Sequence, residues 1–284
     1  MYNLAVVVLN YKKYEETMDC VNSLLKQTYD NFRVIIVDNG SANGSGGELR
    51  KVFAHEKKVT ILESKINLGF SKGNNIGIKY ARQKLQYEFV LVLNSDTILT
   101  DIHTLEKIVN EYEKGTGVIS TYCCDVNGML QRPSYICSKR VITELYKGLI
   151  KDTINSILAV LGLYEKVNRE RSILTKKHIN YSEEYKYEYV ISGCAFILTP
   201  DFFENYNQLY PRTFLYAEEK ALVGYLYKAS LKTKCANNPY IIHKGEQSTP
   251  KNIISQKVIV GFKSFLKVFP IFFMSKERIK QRYS

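Results

Sequence analysis

Four near-continuous apolar runs constrain this chain more than any other feature, because each ends abruptly on polar side chains. The runs are LAVVVLN (Leu4–Asn10), RVIIVDNGS (33–41), VTILES (Val59–Ser64) and FVLVLNSD (89–96). Runs of this length without polar alternation suit strands buried on both faces. Between them lie polar, helix-prone stretches. One covers about residues 15–27, with Cys20, Val21, Leu24 and Leu25 on one side, and another covers about 74–85. Strands alternating with helices imply an α/β chain with a Rossmann-like, mostly parallel central sheet flanked by helices. In such sheets ligands bind beyond the carboxyl ends of the strands. There the sequence puts Asn10 and Tyr11, Asp38 and Asn39, residues 67–75, and Asn94, Ser95 and Asp96.

Composition sets outer bounds. The chain has 284 residues, 45% of them hydrophobic, with a net charge of +12. That length supports one large domain, and the positive charge favours anionic partners such as a nucleotide diphosphate, a lipid phosphate or a membrane surface. No apolar run approaches the roughly 20 residues needed to cross a bilayer. The N-terminal run lacks a basic stretch before it and a small-residue cleavage site, so a cytoplasmic protein is expected. Six scattered cysteines have no metal-ligand spacing and read as free thiols. No nucleic-acid module is recognisable, and none is expected as a partner.

Beyond residue 126 the pattern weakens into basic, tyrosine-rich segments, expected to form a helical insertion over 127–187. Order returns with YVISGCAFILT, expected as a single strand, then a helix start at PDFFE, and FLYAEEKALVGYLYKASL as a loop into a helix. The expected division is therefore 1–126 as the nucleotide half, 127–187 as the insertion, 188–250 as the acceptor half and 251–284 as a helical tail. The tail interleaves five phenylalanines with lysines and arginines. It suits either an amphipathic helix on a membrane surface or a helix packed on the main domain with a solvated basic face.

Several polar residues carry two readings each. Asp38 either caps a turn or accepts a hydrogen bond from a nucleotide ring or ribose. The segment NLGFSKGNN (67–75) lacks dinucleotide and P-loop glycine spacing, but Gly69 and Gly73 permit close backbone approach to an anionic ligand at a helix N-terminus. Asp96, after an apolar strand, either caps a helix beginning at Thr97 or pairs with a divalent metal that neutralises it. Glu218 and Glu219 open a helix, where they complement its dipole, or else one serves as a general base with a raised pKa. His243 is either a packed residue or a ligand to a metal or a departing diphosphate.

Taken in order, VVVLNY, VDNGS, NLGFSKGNNIG, LVLNSD, SGCAFIL, FLYAEE and IIHKGEQS resemble the family 2 glycosyltransferases of GT-A fold, over nearly all of residues 1–250. The likeness is strongest to the bacterial capsule, O-antigen and rhamnosyltransferase-like branch. It implies inverting transfer of a hexosyl or rhamnosyl group from a UDP- or dTDP-sugar to a saccharide or lipid-linked saccharide, using Mg²⁺ or Mn²⁺ at the inner face of the cell membrane. Asn10 and Asp38 match its nucleotide-binding positions, and Asn67, Gly69 and Asn74 match its loop over the donor. Asn94, Ser95 and Asp96 stand where the family has D-x-D, with Asn94 replacing the first acid and Asp96 keeping the metal role. Glu219 matches the base, with Glu218 beside it, and many members carry Asp at the second position of this pair. His243 matches a histidine near the diphosphate. The competing expectation is a nucleotide-sugar-binding or nucleotidyltransferase-type α/β protein that transfers no sugar. A nucleotidyltransferase would carry a glycine-rich basic loop after the first strand, where this chain has NYKKYEE.

Overall fold

The computed structural model describes residues 2–131, 133–168, 187–236, 241–245 and 254–283. Residues 169–186 of the expected insertion, and residues 237–240 and 246–253, lie outside them. A seven-stranded sheet runs through the centre in the order β10-β6-β9-β4-β1-β2-β3. Its strands are β1 (Leu4–Asn10), β2 (Phe32–Asn39), β3 (Val59–Ser64), β4 (Phe89–Asn94), β6 (Thr116–Thr121), β9 (Ala195–Leu198) and β10 (Lys232–Ala236). Strands β1, β2, β3 and β4 pair in parallel. Only β9 runs against its neighbours β4 and β6. The mostly parallel expectation holds.

Each apolar run divides by strand alternation between two layers. Ala5, Val7, Ile35, Val37, Val90 and Val92 face one core. Leu4, Val6, Val8, Val34, Ile36 and Leu91 face the other. Helices α1 (Tyr14–Leu25), α2 (Ser45–Val52) and α4 (Thr104–Val109) cover the second layer through Cys20, Val21, Leu24, Leu49 and Leu105. The first layer takes α3 (Phe70–Gln83), α6 (Pro200–Asn205) and α7 (Glu218–Ala229). Helix α5 (Val141–Val160) also lies there, with α8 (Ile254–Val268) packed along it. Behind α8 come a 3₁₀ turn (Phe269–Phe273) and α9 (Lys276–Tyr283).

Two boundaries differ from expectation. Helix α3 starts at Phe70, four residues before the expected Asn74. Gly73 does not break it; it serves close packing, since a Cβ there would stand 2.6 Å from Leu9 Cδ1 on β1. The expected single strand YVISGCAFILT is two strands, β8 (Tyr189–Ile191) and β9, separated by a turn at Ser192, Gly193 and Cys194. Strand β8 leaves the main sheet to pair with β7 (Tyr135–Cys137). All six cysteines are free thiols.

The tail packs as part of the domain. Phe265, Val268, Ile271, Phe272, Ile279 and Tyr283 belong to the same core as Val7 and Val92. Tyr210 Oη donates to Lys267 O at 2.6 Å, and Gln208 Nε2 donates to Tyr283 O at 2.6 Å. Among the described residues no helix is long and apolar enough to cross a membrane. Phe272 is 2% exposed and its neighbour Phe273 is 54% exposed. Phe272→Ala is therefore expected to lower unfolding free energy by about 3–5 kcal/mol, and Phe273→Ala by less than about 1 kcal/mol. Urea denaturation of the two variants checks this. Equal small losses would mean the tail is not core.

Candidate active site

The strand register gathers polar residues along one edge. Asn10 on β1 lies opposite Asp38 on β2, and Leu9 lies opposite Asn94 on β4. Asn10 Nδ2 donates to Asp38 Oδ1 at 2.6 Å, and Thr17 Oγ1 donates to Asn10 Oδ1 at 2.8 Å. The backbone N–H of Ser41 donates to Asp38 Oδ2 at 3.3 Å. Asn10 is fully buried and Asp38 nearly so. Their side chains form a fixed floor just behind the strand ends.

Above this floor lie two adjoining cavities of about 310 and 320 Å³, which share Phe70, Asn94, Leu215 and Tyr216 as walls. The first is lined by Tyr11, Asn39, Asn67, Gly69 and Asp96. Asn67 Oδ1 accepts from Asn39 Nδ2 at 3.0 Å and from the Gly69 N–H at 2.9 Å, which sets the loop leading into α3. The Phe70 N–H in turn donates to Phe214 O at 2.8 Å, tying that loop to the segment before α7. Asn74 stands in the first turns of α3, buried, with Nδ2 donating to Phe70 O at 3.0 Å and Oδ1 unpartnered. It does not line either cavity.

The second cavity holds Glu218, Glu219, His243, Ser134, Ser192 and Gly193. Helix α7 begins at Glu218, directly after Tyr216 and Ala217, which have φ of 68° and 65°. Two successive non-glycine residues in the left-handed region are costly and tend to mark functional sites. Here they turn both carboxyls into the cavity. Gly193 makes room for one of them, because a Cβ there would stand 2.1 Å from Glu219 Oε1. Ser134 Oγ accepts from the Gly193 N–H at 2.9 Å and donates to Glu219.

Burial and the neighbouring Glu219 charge push the Glu218 carboxyl up to about 8. Its Oε1 is enclosed and has no hydrogen-bond partner. Burial also raises Glu219, opposed by its hydrogen bonds from the backbone and from Ser134. The pair thus divides its labour: Glu219 takes the negative charge first, and Glu218 keeps its proton at neutral pH.

Asp96 and His243 meet where the cavities adjoin. Strand β11 (Ile241–His243) pairs antiparallel with β5 (Thr97–Leu99) and puts His243 opposite Thr97. His243 Nε2 stands 3.3 Å from Asp96 Oδ1. Because Thr97 enters a strand, no helix begins there for Asp96 to cap. On the far side of the ring, Nδ1 lies 3.0 Å from Gln131 Oε1, while Gln131 Nε2 donates to His243 O at 3.3 Å. The amide orientation makes Oε1 the acceptor, so Nδ1 carries the hydrogen and Nε2 presents a lone pair to Asp96. Two facing acceptors need a cation between them, either a proton or a metal ion. Among the described residues no three His, Cys, Asp and Glu side chains converge on one point. A metal here would take two ligands from the chain and need the rest from substrate and water, as Mg²⁺ sites commonly do. Glu16 also lines the first cavity, its carboxyl raised by burial and then by the charge of Asp96.

Of the residues expected from sequence, Asn67, Gly69, Asn94, Asp96, His243, Glu218 and Glu219 line the cavities, whereas Asn10, Asp38 and Asn74 stand behind them. Sequence reasoning assigned no role to Gln131, Ser134 or Glu16, none of which has a local motif. The 214–216 wall lies within FLYAEE, but only the backbone angle of Tyr216 marks its part in the site.

A mostly parallel sheet with one reversed strand, a nucleotide-sized cavity at its strand ends and a carboxylate pair beyond defines the GT-A fold. The sequence profile described as "Glycosyl transferase family 2" matches residues 5–202, and the chain belongs to that family. It is 31% identical over 121 residues to the glycosyltransferase GlyG of Streptococcus pneumoniae, covering 42% of this chain and 38% of that protein. It is 24% identical over 202 residues to an uncharacterized glycosyltransferase of Haemophilus influenzae, covering 67% and 61%. The chain thus spans about two fifths to three fifths of the length of these relatives. Among solved structures it resembles S. aureus TarS 1–349 in complex with UDP-GlcNAc, with a TM-score of 0.58, 15% identity and coverage of 97% and 69%. It also resembles the mannosyltransferase PcManGT of Pyrobaculum calidifontis in complex with GDP-Man and Mn²⁺, with a TM-score of 0.59, 14% identity and coverage of 99% and 67%.

The raised Glu218 pKa has a consequence for stability. The folded state holds a proton there that the unfolded chain releases near pH 4.5, so it binds more protons between pH 4.5 and 8. Stability contributed by this group is present below that window and lost as pH rises through it, at no more than about 1.4 kcal/mol per pH unit. Denaturant midpoints measured from pH 5 to 8.5 are expected to fall with pH, and Glu218→Gln is expected to flatten the slope. An unchanged slope in the variant would contradict the assignment.

Proposed function

We propose that the chain transfers a sugar from a nucleoside diphosphate to an acceptor hydroxyl, with inversion at the anomeric carbon. The carrying observation is the meeting of the two cavities at Asn94 and Tyr216, with Asp96 on one side and Glu218 and Glu219 on the other. A donor seated in the first cavity has its diphosphate beside Asp96 and its sugar directed at the carboxylate pair. Asn39, Asn67, Gly69 and Tyr11 contact the nucleotide; Asp38, held by Asn10 and Ser41, braces the floor behind them. Asn74 anchors the first turns of α3 beneath them. TarS and PcManGT were solved with UDP-GlcNAc and GDP-Man, which supports a nucleotide-sugar donor. A UDP- or dTDP-hexose or rhamnose suits this chain.

Glu219 is the general base. It takes the proton of the acceptor hydroxyl while that oxygen bonds to the anomeric carbon and the bond from that carbon to the diphosphate oxygen breaks. The nucleoside diphosphate leaves from the opposite face. Glu218, protonated beside it, keeps a second negative charge out of the pocket. Asp96 and His243 would hold a divalent ion, and an imidazole donor favours Mn²⁺ over Mg²⁺. When bound, such an ion neutralises charge on the departing diphosphate. The acceptor is a saccharide or lipid-linked saccharide of a bacterial surface polysaccharide, met at the inner face of the cell membrane.

The test is transfer and donor hydrolysis with purified protein and a panel of nucleotide sugars. Glu219→Gln is expected to lower kcat by about 10²–10⁴-fold, with a smaller loss for Glu218→Gln. Because burial lifts Glu219 above ordinary carboxylates, kcat/KM should rise with pH over a higher range than an ordinary carboxylate base would give. If both variants turn over like the parent, the base assignment is wrong. Excess chelator is expected to abolish transfer and Mn²⁺ to restore it; full activity in chelator would remove the metal from the scheme. Gly193→Ala, which displaces the Glu219 carboxylate, should cut kcat at least about tenfold while costing less than about 1 kcal/mol of stability.

A further inference from the structure

Helix α5 is apolar on both sides. Val141, Leu145 and Ala159 face the core, while Tyr146, Ile150, Ile154, Ile157 and Leu161 face outward, with Ile150 61% and Leu161 63% exposed. Spacings of three and four residues align these five as one stripe along the helix. A helix apolar all round is normally covered. Helix α8, which packs along α5, adds exposed Val260 and Leu266, and the 3₁₀ turn adds Phe273. The Tyr146 ring lies 5.8 Å from that of Phe269 and 6.3 Å from that of Phe273, so the two elements form one continuous face.

Its exposed charges are mostly lysines. Lys147 and Lys151 lie along the α5 stripe and Lys263 and Lys267 along α8, all exposed. Residues 254–274 contain no Asp or Glu. The two acids of α5 are both neutralised: Glu144 Oε1 lies 3.0 Å from Lys147 Nζ, and Asp152 Oδ2 lies 2.6 Å from Lys220 Nζ. Cores of protein–protein interfaces are depleted in lysine, whereas lysines bordering an apolar face suit anionic headgroups, with their stems in the interface. A second observation agrees. Between α5, α7 and α8 opens a cleft of about 580 Å³ lined by Lys151, Lys257 and the Lys220–Asp152 pair, with Tyr216 and Ala217 in its wall. Tyr216 also lines both cavities of the site, so the cleft leads from the apolar face toward the carboxylate pair.

We infer that the α5–α8 face docks on an anionic lipid bilayer, with the lysine-lined cleft taking lipid phosphate at its mouth. This moves the membrane contact from the tail's aromatic side, where Phe265 and Phe272 are buried, to the stripe on α5. It deepens the sugar-transfer reading by bringing a lipid-borne acceptor to Glu219, yet docking itself is measured with no nucleotide sugar present, so the two stand or fall separately.

The chain contains no tryptophan, so one placed on the stripe reports alone. With the full chain, Ile154→Trp emission is expected to shift to the blue on adding phosphatidylglycerol vesicles and to be quenched by brominated acyl chains. Phosphatidylcholine vesicles should give little shift, and Ile102→Trp, exposed on the loop before α4, none with either. Ile150→Glu combined with Ile154→Glu should lower vesicle co-sedimentation at least about tenfold and leave donor hydrolysis in solution unchanged. An unshifted Ile154→Trp spectrum with anionic vesicles overturns the proposal. So does shielding of that tryptophan at raised protein concentration without vesicles, which would make the face a contact between copies. Undiminished vesicle binding by the double variant overturns it as well.

Discussion

Burial of β1, β2 and β4 on both faces is the constraint from which the site follows. A strand covered above and below has no place for a charged side chain along its length, since an unpaired buried charge is prohibitively costly. Chemistry can enter only where the strand stops. Parallel pairing then makes the three stops coincide, so Asn10, Asp38 and Asn94 arrive together although 28 residues separate the first two and 56 the last two. Thr17, Ser41 and the Asn10 amide satisfy the polar groups left at that edge. The binding floor is a by-product of the core.

The opposite wall is made by different means. Tyr216 and Ala217 hold left-handed backbone angles without being glycines, and the helix they start sets two partly desolvated acids side by side. Strain and desolvation both oppose folding here, and the large core behind α7 offsets them. Ala221, Leu222, Val223, Tyr225 and Leu226 of the same helix are almost wholly buried. The energetically unfavourable end of α7 is thus held by its favourable body. The His243–Asp96 contact is positioned by a third device, a two-stranded ladder of three residues per strand that joins positions 146 residues apart.

How much of this was legible in the sequence follows the same division. The sheet could be read because burial writes itself as uninterrupted Val, Leu and Ile, and the strand ends because Asn and Asp interrupt those runs. Helix α3 was placed four residues late because Gly73 looks like a loop residue when its purpose is contact with Leu9. The single strand expected over YVISGCAFILT was split at Gly193, which is small to admit a carboxyl that sequence puts 26 positions away. Ser134 and Gln131 left no trace, because their roles depend on β8 leaving the main sheet to pair with β7 and on long-range hydrogen bonds to His243. Propensity sees neighbours in sequence; these residues are neighbours only in space.

The packing of the last helices bears on how the molecule comes into being. Phe265, Val268, Ile271, Phe272, Ile279 and Tyr283 complete the layer that Ala5 and Val7 begin. During synthesis the face of α7 that they cover therefore waits, bare, until the last helices have emerged. Domains generally fold as units, and exposed apolar surface invites aggregation in the interval. A nascent chain cut short before α8 would display the same bare layer as a stalled one, giving quality-control machinery a plain signal of incompleteness.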